Sequence, residues 1–276
     1  MKNGIYIVAT PIGNISDISA RAVEVLREAG VIACEDSRVA KKLLSLLGIP
    51  SAAKKFVKLE DHTEAAQTDK VIEAAGQQAV ALISDAGSPL ISDPGYKLVR
   101  RCREEGVYVC AVPGACALIC ALQLSGLPTN SFLFSGFIPN KDKARGDLFN
   151  KLKDIDATLV FYETANRIVK TLSKAAEVFG GREMAVAREI TKVYEECLRG
   201  TAEELIAHFE AHEPRGEMVF MVAPPDDKAD SGVDVEAALR EELKTNGVKT
   251  AVKNLVGRFG LNKNEVYQLA LKIKDE

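Results

Sequence analysis

Glu35-Asp36-Ser37-Arg38 sets two carboxylates and a guanidinium together at the end of a short apolar run, Val31–Cys34. A carboxylate pair at a strand end suits removal of a proton, and an arginine fork suits a phosphate. The same residues also have a structural use, because Asp36 or Ser37 can cap a helix over Val39–Leu47. A second concentration is Ser84-Asp85-Ala86-Gly87-Ser88-Pro89, directly after the apolar run Val80–Ile83, with a further break at Asp93-Pro94-Gly95. Small residues there let backbone N–H groups approach a ligand, and Asp85 adds a fixed acceptor. Two breaks within a dozen residues favour a binding site over an ordinary turn. Thr10-Pro11-Ile12-Gly13-Asn14 forms a sharp loop after Ile5–Ala9. It lacks both the GxGxxG and the phosphate-loop spacings, so a nucleotide phosphate cradle is not predicted. Lys141-Asp142-Lys143-Ala144-Arg145 puts cations at a helix start, against the dipole. That arrangement fits phosphate contact, although a solvated loop is the simpler account. Lys192, just past another strand end, can steady a phosphate. His62 lies in a polar loop and reads as solvent-exposed.

The elements that must position these residues follow from periodicity. Strands over 5–9, 31–34, 54–58, 80–83 and 107–112 alternate with helices over 18–29, 39–47, 63–76 and 96–105. This alternation predicts a parallel sheet covered on both faces. Near Pro113 the pattern changes. A helix over 116–124 precedes strands over 132–138, 158–163, 183–188 and 216–222. Between them come helices ending near Lys153, over 168–179, and after Thr201, where Glu204 stands in capping-box spacing. The expected divisions are an α/β domain over 1–112, a mixed α/β domain over 113–223, an acidic linker over 224–234 and a helical appendage over 235–276. The appendage carries three helical patterns, 234–246, 249–258 and 262–273, with Asn262 as the cap of the last.

The totals bound the class. The chain has 276 residues, 47% hydrophobic and 27% charged, with a formal net charge of -3. That composition is ordinary for a globular protein and argues against a broad basic surface. No apolar run reaches the roughly 18 residues of a spanning helix, and the N-terminus lacks a signal-peptide pattern, so a cytoplasmic location is expected. The six cysteines, at 34, 102, 110, 116, 120 and 197, form no CxxC pair. They predict neither a metal site nor a disulfide framework.

Several blocks, in order, carry a family resemblance. They are Thr10-Pro11-Ile12-Gly13-Asn14, Ala33-Cys34-Glu35-Asp36, Ser84-Asp85-Ala86-Gly87, Ile91-Ser92-Asp93-Pro94-Gly95-Tyr96, Phe161-Tyr162-Glu163, Ala187-Arg188-Glu189-Ile190-Thr191-Lys192 and Gly216-Glu217. Through them the chain resembles the tetrapyrrole methylase fold family, and within it the branch that 2′-O-methylates a cytidine in the decoding region of 16S rRNA. The resemblance implies a two-domain α/β fold of the class III methyltransferase type with a small C-terminal helical appendage. It implies S-adenosyl-L-methionine as cofactor, the small ribosomal subunit as partner, a homodimer, and no metal. It puts Pro11, Asp85, Ala86, Gly87, Ser88, Pro113, Gly114, Phe161, Tyr162, Arg188, Ile190 and Gly216 at the cofactor. Glu35, Asp36, Arg38 and Lys192 then form the expected reaction edge, with Glu35 or Asp36 as base, or with alignment alone and water taking the proton. The family commonly has Thr at Ser37 and Ser88, His at Val39 and Asn166, and Pro at Ala115. Serine keeps the hydroxyl, whereas Val39 and Asn166 remove imidazoles from the expected RNA edge. Two other readings stay open: a methyltransferase acting on a small tetrapyrrole precursor, and a non-enzymatic RNA-binding protein.

Overall fold

Five short strands make the first sheet: β1 (Gly4–Val8), β2 (Val31–Cys34), β3 (Lys55–Lys58), β4 (Ala79–Leu82) and β5 (Val109–Val112). Their order is β3-β2-β4-β1-β5 and every pairing is parallel. β2 and β4 are buried at every position, as the unbroken apolar runs require when both sheet faces are covered. Helices α1 (Ala20–Glu28) and α2 (Ser37–Leu46) pack Val25, Leu26 and Leu44 against Ile32 and Ala81 on one face. Helices α3 (Glu64–Gln77) and α4 (Tyr96–Glu104) pack Val71 and Leu98 against Val31, Val80 and Leu82 on the other. β1 lies beside β4, and the crossovers leave these two strands in opposite directions. Their carboxyl ends therefore flank a topological switch point, where open α/β sheets bind ligands. The computed structural model describes residues 1–59, 64–225, 235–259 and 263–275. His62, Asn262 and linker residues 226–234 lie outside them.

The second sheet has the order β6-β7-β10-β8-β9, with β6 (Phe132–Phe137), β7 (Thr158–Thr164), β8 (Met184–Arg188), β9 (Glu196–Gly200) and β10 (Glu217–Val222). β6 and β7 are parallel and the other pairings are antiparallel. Helices α6 (Asp142–Leu152), α7 (Ile168–Phe179) and α8 (Ala202–Ala211) cover one face, where Phe149 meets the rings of Phe161, Phe179 and Phe220. Helix α5 (Ala117–Ser125) covers part of the other. β9 was not foreseen. It is an edge strand with no fully buried residue, Glu196-Cys197-Leu198-Arg199-Gly200, without the apolar run that marks a central strand. The capping box of Thr201 and Glu204 forms as expected.

Arg145 is a correction. It is 2% exposed, and its guanidinium donates to the carbonyls of Asn140 (3.1 Å) and Lys170 (3.3 Å). Of the cations in that cluster, only Lys141 and Lys143 face solvent.

The chain divides into two compact units, Met1–Pro224 and Pro225–Glu276. The second is three helices, α9 (Val235–Thr245), α10 (Val248–Phe259) and α11 (Lys263–Asp275). They share their own core of Leu239, Ala251, Val252, Leu255, Val266 and Ala270. Among the described residues no helix is long and apolar enough to cross a membrane, and no cluster of His, Cys, Asp and Glu could hold a metal ion.

Candidate active site

The loops after β1 and β4 are tied together by a two-hydrogen-bond bridge. Thr10 donates its N–H to the Gly87 carbonyl (2.8 Å), and Gly87 returns one to Thr10 (3.1 Å). Gly87 has a φ of 78°, and a methyl group there would lie 3.2 Å from Ile12 Cγ2, so glycine suits both the turn and the close approach. Ser88 Oγ donates to the Ala115 carbonyl (3.1 Å), fixing the loop to the entry of α5. Across from these loops stands the β7–β10 face of the second sheet, and a cavity of about 400 Å³ opens between them.

The cavity walls are made by strained backbone. Among the described residues four non-glycine positions have left-handed φ: Leu90 (71°), Ser92 (68°), Glu189 (50°) and Thr191 (66°). Each costs on the order of 1–3 kcal/mol and persists only where the surroundings enforce it. The first pair brackets Ile91 and leads to Asp93. The second brackets Ile190 and leads to Lys192. All four of those led-to residues line the cavity. The strain thus falls in the two segments that aim side chains at one space, as at functional sites.

Of the expected site residues, Glu35, Asp85, Ala86, Gly87, Ser88, Tyr162, Ile190 and Lys192 line the cavity. Lys192 Nζ is held by Glu189 Oε1 at 2.8 Å. The others fall elsewhere. Phe161 is fully buried on the opposite sheet face, its ring against Phe149 and Phe220, because adjacent strand residues point to opposite faces. Pro11 gives way to Ile12 in the lining, and exposed Pro113 and Gly114 give way to Cys116 and Ala117. Arg188 is outside the lining and pairs with Glu196 at 2.5 Å. Gly216 supports rather than lines: a methyl group there would meet Glu189 Oε1 at 2.7 Å, and its neighbour Glu217 takes the wall.

The expected reaction edge does not act as one unit. Asp36 is the N-cap of α2, accepting from the Arg38 N–H at 2.7 Å. The Arg38 guanidinium also binds its carboxylate, at 2.6 Å from Nη2. Those hydrogen bonds from Arg38 pull the Asp36 carboxyl down to about 2, which makes it a weak proton acceptor. The Arg38 side chain is 89% exposed and neither it nor Asp36 lines the cavity. What joins this edge to the site is backbone: the Asp36 N–H donates to Asp85 Oδ1 at 3.2 Å.

Asp93 is the acid that sequence reasoning passed over as a turn former. It lines the cavity, and burial holds its carboxyl above the ordinary carboxylate range, with Asp85 and Glu217 adding to the rise and the Ser84 hydroxyl opposing it. In the sequence it stands in the Asp93-Pro94-Gly95 break, where turn chemistry accounts for it. Burial pushes the Tyr162 hydroxyl up to about 12, so it is a neutral phenol at physiological pH. Glu163 is fully buried, accepting from Thr171 Oγ1 (2.6 Å) and the Thr164 N–H (2.8 Å) and pairing with Arg167 (2.8 Å). It locks the end of β7 that carries Tyr162.

The residues fit the expected cofactor. Ile12, Ile190, Met218 and Val219 offer apolar walls for a purine, and Ala86, Gly87 and Ala117 leave backbone accessible. Glu35, Asp85, Asp93 and Glu217 face the same space, which suits a sulfonium and an ammonium. The volume lies in the range of cofactor pockets.

Comparison with known proteins agrees with this geometry. Residues 4–206 match the family Tetrapyrrole (Corrin/Porphyrin) Methylases, and residues 229–274 match the RsmI C-terminal HTH domain. A protein of Erythrobacter litoralis named Ribosomal RNA small subunit methyltransferase I is 48% identical over 99% of this chain and 96% of its own length. One of the same name from Haemophilus influenzae is 42% identical over 97% of this chain and 96% of its own. Among solved structures, a diphthine synthase superposes with a TM-score of 0.62 at 18% identity, covering 79% of this chain and 89% of that one. A uroporphyrin-III-C-methyltransferase from Thermus thermophilus superposes at 0.55 and 21%, covering 80% and 94%. These two likenesses concern the fold alone. With its fold, its cleft and its full-length relatives in agreement, the chain belongs to the tetrapyrrole methylases and, among them, to the ribosomal RNA small subunit methyltransferase I family of methyltransferases.

Proposed function

We propose that this chain methylates the ribose 2′-hydroxyl of a cytidine in the decoding region of 16S rRNA, on the small ribosomal subunit and in the cytoplasm, using S-adenosyl-L-methionine. The observation that carries the reading is the cavity at the switch point of the first sheet, closed by strained segments that aim Asp93 and Lys192 into it. The names of the relatives matched over nearly their whole length supply the substrate class. When bound, the cofactor supplies an electrophilic methyl group on a sulfonium centre. Ile12, Ala86, Gly87, Ser88, Ala117 and Ile190 would hold it. Asp93 accepts the proton of the attacking hydroxyl, because its raised affinity brings it closer to working pH than Asp36. Glu35 lines the same cavity as a second acceptor. Lys192 exchanges Glu189 for a substrate phosphate. Apolar walls exclude water and strengthen these contacts.

In this reading residues 1–112 and 113–223 are the two domains of the cleft, 224–234 a linker, and 235–276 a docking appendage for RNA, supported by the helix-turn-helix family match. A homodimer belongs to the same reading, with exposed Ile119, Leu124 and Phe132 as apolar surface for it to cover. Incubation with small ribosomal subunits and methyl-labelled cofactor, followed by nucleoside mass analysis, tests the reading. The expected product is 2′-O-methylcytidine in 16S rRNA. Label in no rRNA nucleoside would contradict it.

A further inference from the structure

β6 carries an irregularity that sequence periodicity does not reveal. It pairs with β7 in regular parallel register from Phe132↔Thr158 to Phe134↔Val160, and resumes at Phe137↔Tyr162. Phe134 to Phe137 spans three steps where Val160 to Tyr162 spans two, so one residue is extra. Gly136, with a φ of 70°, lies within the irregularity. A bulge reverses which face every later side chain occupies. In unbroken alternation Phe137 would share the face of Leu133, against the Phe149–Phe161 core, and Ile138 would face the cavity. With the bulge, Ile138 takes the core position, 1% exposed, while Phe137 stands on the cavity face beside Tyr162.

This inversion gives away core area. A phenylalanine that the core could use is left 50% exposed, and a smaller isoleucine is buried in its place. Burial therefore does not explain it. The exposed ring is also well held. Its centroid lies 5.4 Å from that of Tyr162, which is itself 4.8 Å from Phe134. Ile138 anchors the chain just beyond, donating its N–H to the Tyr162 carbonyl at 3.2 Å. The result is a fixed aromatic face on one wall of the cavity.

We infer that Phe137 is the platform on which the unpaired pyrimidine base of the RNA substrate stacks during methyl transfer. The inference rests on the RNA methyltransferase reading above and adds the residue that holds the base. Two observations select the nucleobase over the cofactor's adenine. Phe137 belongs to the Ser92–Asp93 part of the wall, since a methyl group on Gly136 would lie 3.6 Å from Ser92 Oγ, whereas the cofactor end is built from the loop after β1 and the Asp85–Ser88 turn that the Thr10–Gly87 bridge ties to it. The acid assigned to the substrate hydroxyl is on that same wall. Charge fits a base rather than its phosphate: Asp93 and Glu217 line the same cavity and can accept from the amino edge of a cytosine. Ile91, 40% exposed in the same lining, is available as the second apolar contact. A base drawn from its stack is held in this way in other nucleic-acid enzymes.

Two measurements test the inference. In the first, Phe137→Ala, Phe137→Tyr and Phe137→Trp are compared with the parent for S-adenosylmethionine affinity by calorimetry and for kcat/KM on small ribosomal subunits. The alanine variant is expected to keep cofactor affinity within about twofold and to lose about ten- to a hundredfold in kcat/KM, while the aromatic variants keep most of it. Parental kcat/KM in Phe137→Ala would overturn the inference, and so would a matching loss of cofactor affinity, which would assign the ring to the cofactor. The second needs no turnover. The chain has no tryptophan, so Phe137→Trp creates a single reporter. A short cytidine-containing RNA, added with S-adenosylhomocysteine present, should quench its fluorescence, and S-adenosylhomocysteine alone should not. Absence of quenching overturns the platform. A parent enzyme that methylates no rRNA instead overturns the RNA methyltransferase reading, so the two failures are told apart.

Discussion

Asn14 donates its backbone N–H to Thr191 Oγ1 at 3.1 Å, joining the loop after β1 to the strained turn after β8. The contact brings together residues from the two sheets at the edge of the cavity. It depends on Gly13, where a methyl group would lie 2.8 Å from Thr191 Oγ1, 2.6 Å from Lys192 Cγ and 3.0 Å from the Ile190 carbonyl. Gly13→Ala should therefore push the Ile190–Lys192 wall out of place. Cofactor affinity measured by calorimetry is expected to fall by about tenfold, equivalent to about 1.4 kcal/mol, with the fold retained. Unchanged affinity would show that the cofactor does not need this closure.

Asp93→Asn tests the proton acceptor. Loss of a general base should lower the single-turnover rate by about 10²–10⁴-fold with cofactor affinity little changed. Stability should move the other way. The folded-state affinity of Asp93 for its proton is raised, so the fold favours the protonated form. That contribution is present at low pH and is lost as pH rises through the folded value. Asparagine removes the loss, so the variant should resist denaturant better than the parent near neutral pH and equally in acid. A variant that is both fully active and no more stable would refute the assignment.

Asp36 has the opposite sign. Its carboxyl is held at about 2 against an ordinary 3.8, so its contribution is present above 3.8 and is lost as pH falls toward 2. Asp36→Asn should keep the helix cap, because asparagine caps nearly as well, and Asp36→Ala should not. Denaturant midpoints near neutral pH are expected in the order parent, Asn, Ala, with the parent falling toward the Asn variant in strong acid and Ala staying lowest. Methylation by Asp36→Asn should stay within about tenfold of the parent. A loss of about 10²-fold or more would restore Asp36 as the base.

The regular part of this fold was legible because burial imposes simple patterns. β2 and β4 read as continuous apolar runs, and the helix over 168–179 and the Thr201 capping box stand where periodicity and spacing put them. The cleft was only partly legible. Phe161 and Tyr162 are neighbours of similar character, and alternation says that they face opposite ways without saying which faces the core. The bulge before Phe137 is set by strand register, which one chain segment does not encode alone. Arg145 was read as a surface cation, but its stem and head are enclosed by α6 and α7. Asp93 needed its burial, and the neighbouring charges of Asp85 and Glu217, which only the folded chain supplies.

The three-helix unit has its own core, so its removal should leave the cleft intact. A chain ending at Ala223 is expected to bind S-adenosylmethionine with parental affinity and to methylate assembled small subunits at least about tenfold less efficiently. Parental efficiency on those subunits would rule out a docking role for residues 235–276.

The central claim is that this cleft methylates one cytidine ribose of the small-subunit RNA. It is tested most directly by mapping ribose methylation along 16S rRNA from a strain that lacks this chain, and from the same strain supplied with the parent or with Asp93→Asn. The parent should restore a single 2′-O-methyl group on a decoding-region cytidine, and Asp93→Asn should restore little or none. An identical methylation map with and without the parent chain would contradict the account.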